Sequence, residues 1–200
     1  MSKYKQLFDR NIDRVNSLCN VYYKLKSDNI KETKSYKFTD VLRSAVVLLH
    51  SSFEEYFRNV LREKLPKVCD ENDLKKISFP GSDGKHNDKI TLGQMLQYRD
   101  LSVEDLIYQG ISEELDSTSF NNFSDICNWT NRAKIDISEF NEQKNLQEVI
   151  SRRHKIVHEA DNKHSDSQYS LTAIKESKVR EWIATVSKLV EIIEKSIEEE

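Results

Sequence analysis

Chain-breaking residues are scarce in this sequence. Four glycines and two prolines are spread over 200 residues, and a fold of many short strands joined by tight turns needs more of both. Long apolar runs are missing as well. The longest is AVVLL at 45–49, far too short to span a bilayer. The opening MSKYKQLFDR has no apolar stretch of the kind that marks a secretory leader. The expectation is a cytoplasmic chain with no membrane partner. Cysteine is rare too: Cys19, Cys69 and Cys127 are odd in number and far apart. That pattern argues against a disulfide framework or a C-x-x-C zinc site and fits reduced thiols. Nor is there a strong excess of charge. The net charge is −3, so any nucleic-acid binding must come from a local patch.

What is present is amphipathic. Hydrophobic residues make up 37% and charged residues 32%, which suits helices with one buried stripe and solvated outer faces. Residues 3–26 place Phe8, Ile12, Val15, Leu18, Tyr22 and Leu25 at spacings of three and four. A second helix is predicted over about 39–65, with Thr39 as its cap and an end before Pro66. Its stripe is Leu42, Val46, Leu49, Phe53, Tyr56, Phe57 and Val60. A third long helix is predicted over about 139–160. The last, about 171–197, carries a near-heptad seam of Val179, Trp182, Val186, Leu189, Ile193 and Ile197. Between them, 66–137 reads as a mostly helical insertion, with a loop at 79–89 and shorter helices near 91–98, 102–116 and 119–130. The expected fold is therefore all-α: a single domain over 1–200, a bundle of four long core helices at about 1–65 and 139–197. Trp129 and Trp182 are expected in its core. His86 and His164 are expected in solvated polar loops.

One stretch does not fit an ordinary core helix. SRRHKIVHEAD at 151–161 packs three cations and two histidines into seven residues. At about 100° per residue, Leu146, Val149, Ile150, Ile156, Val157 and Ala160 share an apolar stripe. Arg153 falls within that stripe. Arg152, Lys155, Glu148 and Glu159 fall on the solvated side. His154 and His158 sit together on the flank, one turn apart. A guanidinium keeps its charge, so an inward Arg153 needs a carboxylate, a polar cleft or an anionic ligand. Glu54, with His50 at the edge of the second helix's stripe, is in position to meet it, whereas Glu55 points away. Two readings stay open: an internal Arg–Glu pair between helices, or a cleft lined by Arg153, His154 and His158.

The spacing from Arg153 to His158 resembles the Arg-x(4–6)-His signature of the HEPN superfamily, in which the arginine is commonly followed by a polar residue, here His154. Arg152 satisfies the looser spacing. VVLLHSSFEEYFRNVLRE at 46–63 and VREWIATVSKLVEIIEKSI at 179–197 are similar to the second and last helices of the RiboL-PSP-type HEPN branch. The resemblance implies a metal-independent ribonuclease without a cofactor, often a toxin or antiphage effector held by an antitoxin or other regulatory protein. It implies a homodimer that joins two copies of the motif against an RNA substrate. It also allows a non-catalytic RNA-binding or protein-interaction module. One subgroup accepts nucleotide on a tyrosine two residues after the motif histidine; Ala160 stands there in this chain.

The residue chemistry suits RNA cleavage. Histidine moves protons near neutral pH, and arginine's planar fork holds two phosphoryl oxygens at once. The expected site is Arg153 as phosphate clamp, His158 as acid or base, His154 as orienting or second proton-transfer group, and Glu54 in support. A zinc reading competes through His154 and His158, with Glu159 or Asp161 nearby. It lacks H-E-x-x-H and a distant third ligand.

Overall fold

The computed structural model describes residues 1–28, 36–81, 91–163 and 170–199. His86 and His164 lie outside them. Among the described residues the protein is all-α apart from one short antiparallel strand pair. Helix α1 runs over Lys3–Asp28 and α2 over Tyr36–Val68. The short α3 (Glu71–Leu74) and α4 (Leu92–Met95) follow, with a 3-10 turn at Leu96–Tyr98. Then come α5 (Val103–Ser117), α6 (Phe123–Arg132) and α7 (Gln143–Glu159). Strand β1 (Asn162–Lys163) pairs antiparallel with β2 (Ser170–Leu171), and α8 (Glu176–Glu198) closes the chain. Among the described residues no helix is long and apolar enough to cross a membrane.

Helix α2 is the axis, packing against α1, α5, α6, α7 and α8. Every apolar residue of its expected stripe is buried, and Ala45, Leu61 and Leu65 join them. A helix buried on that many sides needs several neighbours, and the bundle supplies them. The α8 seam is buried from Val179 to Ile193, and both tryptophans are in the core. In α1, Cys19 and Asn11 join Phe8 and Val15 inside, while Ile12, Leu18 and Tyr22 are half-buried. Burial pushes the Cys19 thiol above its ordinary pKa.

Helix α2 departs from expectation at both ends. It continues through Pro66 to Val68. A proline near a C-terminus forfeits one N–H, and the turn stays closed because Cys69 N–H donates to the Leu65 carbonyl at 2.9 Å. It also starts before Thr39, whose hydroxyl instead accepts from Arg43 Nη1 at 2.6 Å.

The segment after α2 has two characters. Residues Ile111, Leu115, Phe120, Ile126, Trp129, Ala133 and Ile135 lie in the same core cluster as α2. Phe57 and Phe120 meet edge to face at 4.9 Å. Arg58 donates to the Leu115 carbonyl and, at 2.7 Å, to that of Thr118, satisfying the end of α5. The start of α5 is closed by a reciprocal Ser102–Asp105 capping box. By contrast, Leu92, Leu96 and Val103 are largely exposed.

Helix α7 buries Leu146, Val149 and Ile150. Its expected stripe then opens: Ile156 is half-buried, Ala160 is exposed, and Val157 is 49% exposed. Ile156 and Ala160 face a groove of about 620 Å3 between α2 and the last turns of α7, with Val47, Leu48 and Ser51 on its other wall. The helix ends where Ala160 and Asp161 both turn left-handed, at φ 48° and 58°. That pair reverses the chain and lays the hairpin against the helix end.

Candidate functional site

The two adjacent arginines of α7 have opposite fates. Arg152 was expected in solvent, but its side chain is only 13% exposed. Its Nη2 donates to Asp161 Oδ2 at 2.8 Å and to the Thr172 carbonyl at 2.9 Å. Asp161 is fully buried, and the same Oδ2 accepts from Arg43 Nε at 2.6 Å. Arg43 Nη2 reaches the Thr172 carbonyl at 2.9 Å. Thr172 N–H donates back to the Asp161 carbonyl at 2.9 Å, and Asp161 N–H donates to the Lys155 carbonyl at 3.0 Å. One carboxylate and one carbonyl thus gather two guanidinium groups and tie α2, α7 and the hairpin together. Burial pulls the Arg152 pKa below its ordinary value; Asp161 opposes that, and the nearby Arg43 charge adds to it.

Arg153 takes no part in this node. It is half-buried, and its Nε is shielded from solvent without a hydrogen-bond partner. Glu54, on α2, is also half-buried. The basic nitrogens within 4.0 Å of its carboxylate are His50 Nδ1 at 3.5 Å and Arg58 Nη2 at 3.7 Å. Burial pushes the Glu54 carboxyl up, but His50, Arg58 and Arg153 together outweigh it and leave its pKa below the ordinary value. Arg153 therefore acts on Glu54 through space, and no ion pair within 4.0 Å joins them. His50 is buried at 3% exposure with neither ring nitrogen in a well-formed hydrogen bond. Glu55 is exposed, as its wheel position requires.

His154 and His158 stand exposed on the outer flank of α7, with ring centroids 4.5 Å apart. Their i, i+4 spacing puts them on one face, one turn apart. The arrangement has a positive inner edge at Arg153 backed by the Glu54 carboxylate. Its outer edge consists of two solvent-facing imidazoles. Such a set can hold a phosphodiester oxygen and exchange protons with its neighbours. Arg43, Asp161 and Thr172 lay outside the sequence-based site. The available signal was Arg43 itself, a cation directly beside Leu42 in a strongly apolar helix.

An all-α bundle whose α7 carries a half-buried arginine and two exposed histidines places the chain among helical-bundle domains. Within that class the chain belongs to the RiboL-PSP-HEPN family, whose model matches residues 8–199. No curated protein and no solved structure matched the chain.

Proposed function

We propose that this HEPN domain is a metal-independent endoribonuclease. The observation that carries the reading is the half-buried, incompletely paired Arg153 on the same helix as two exposed histidines. In the reaction, a histidine removes the proton from a ribose 2′-OH, and that oxygen attacks the adjacent phosphorus. The P–O5′ bond breaks, and a second acid protonates the leaving 5′-oxygen, giving a 2′,3′-cyclic phosphate. His158 takes one of the proton transfers and His154 the other or the orientation of substrate. Arg153 stabilises the charge that builds on the phosphorane, with the Glu54 carboxylate acting on it through space. A homodimer that apposes two α7 flanks would supply both acid and base. In a cell, such an enzyme fits a toxin or antiphage effector restrained by a regulatory partner.

The test is incubation of purified protein with total RNA in EDTA, beside Arg153→Ala and His158→Ala. Cleavage by the unmodified protein alone supports the reading. Binding without cleavage in all three supports an RNA-binding module instead, a reading favoured by the net charge of −3. Cleavage equal in all three rules the assigned residues out.

A further inference from the structure

His154 and His158 are available in a way few paired histidines are. Their rings lie 4.5 Å apart on consecutive turns of one helix. Both are exposed, and neither is held by a hydrogen bond or ion pair among the described residues. A neutral imidazole offers one nitrogen lone pair, the commonest protein ligand for zinc, copper and nickel. Two such donors at i, i+4 can reach a single ion by side-chain rotation alone, without moving the backbone.

We propose that His154 and His158 chelate a borderline divalent ion of the zinc type, with water filling the remaining positions, and that the bound ion switches RNA cleavage off. The ion would occupy the lone pairs that the proton transfers require. This rests on the nuclease reading above. It differs from a catalytic zinc centre, because among the described residues no group of three or more His, Cys, Asp or Glu gathers to hold a metal. Asp161, three residues beyond His158, is fully buried, and its Oδ2 accepts from Arg43 and Arg152. Arg153 and Lys155, next to His154 in the chain, repel a cation and keep binding weak enough to reverse. The pair therefore suits a reversible inhibitor rather than a resident cofactor.

The experiment titrates zinc chloride into the full chain by calorimetry and repeats the RNA assay at each concentration. One ion per chain is expected. Because the two donors share one rigid helix, His154→Ala or His158→Ala should weaken binding by about tenfold or more. A His86→Ala/His164→Ala double variant should bind as the unmodified protein does. Cleavage should fall with the same midpoint as binding and return on adding EDTA. Magnesium chloride should do neither, since that ion prefers oxygen ligands. Unchanged zinc affinity in both α7 variants overturns the chelate, and full cleavage at saturating zinc overturns the switch. Should the metal-free protein cut no RNA, the nuclease reading fails, and the titration alone decides the chelate.

Discussion

Arg152 and Arg153 are neighbours in the chain, yet they belong to two regions built on opposite principles. Around Arg152 the fold is tied by several hydrogen bonds: Arg152 and Arg43 both donate to Asp161 Oδ2 and to the Thr172 carbonyl, although Arg152 Nε, Asp161 Oδ1 and Thr172 Oγ1 have no partner. Around Arg153 commitments are incomplete. It makes no hydrogen bond or ion pair with a described residue, Glu54 acts from a distance, and two imidazoles face solvent. Burying a charge is costly, so a buried cation tied by several hydrogen bonds marks a place where the fold is being held. A half-buried one without such ties marks a place where something else can bind. The comparison makes the node the anchor and the flank the working face, and each half of that statement can be broken separately.

The largest effect should come from Asp161→Ala. It leaves two guanidinium groups buried against each other, and losing one partner of a buried ionic cluster costs about 3–5 kcal/mol. Chemical denaturation should show that loss as a lower midpoint at unchanged slope. Asp161→Asn should fall between, because the amide oxygen can still accept one bond. A loss below about 1 kcal/mol in Asp161→Ala would mean that the node does not hold the fold.

Next comes the pair of single arginine changes. Arg152→Ala should destabilise by about 2–3 kcal/mol, since it strips buried Asp161 of one of its two cations. Arg153→Ala should cost less than about 1 kcal/mol while reducing RNA cleavage by about a hundredfold or more. If the two variants exchange these phenotypes, the anchor and the working residue have been assigned the wrong way round.

Half of this contrast was legible in the sequence. The stripes of α2 and α8 were, because a 3.6-residue period records burial directly: Leu42 to Val60 and Val179 to Ile193 are buried as the spacing required. Arg153 and the histidine pair were legible for the same reason, being misplaced or paired on one helical wheel. Arg152 was not, because a wheel treats the helix as isolated. Its partners arrive from Asp161, Thr172 and Arg43, and the first two return only because Ala160 and Asp161 turn left-handed. No local propensity announces two such residues in succession when neither is glycine. The same blindness placed Ala160 inside; whether a stripe is covered depends on where its neighbours stop, and here a groove intervenes.

A smaller effect should appear at low pH. Glu54 has a folded-state pKa below its ordinary value of 4.5. Its charged form therefore adds stability that is fully present above that value and is lost as pH falls through the folded one. Glu54→Gln removes that contribution, so its melting temperature should lie below that of the unmodified protein at neutral pH, and the gap should close on acidification. A gap that stays constant from neutral pH to below the folded value would show that Glu54 gains nothing from His50, Arg58 and Arg153.

The smallest expected effect on the fold is the most telling about the flank. His154 and His158 are exposed, and no hydrogen bond or ion pair among the described residues depends on either ring. Replacing either with alanine should leave stability within about 0.5 kcal/mol; alanine even favours the helix slightly. If His158 performs a proton transfer, the same variant should lose about 10²- to 10⁴-fold in RNA cleavage. A side chain that contributes nothing to stability yet controls the rate has no structural explanation for its presence. Conversely, a His158→Ala protein that melts several degrees lower would place that ring among the groups holding the helix end, on the same footing as Arg152.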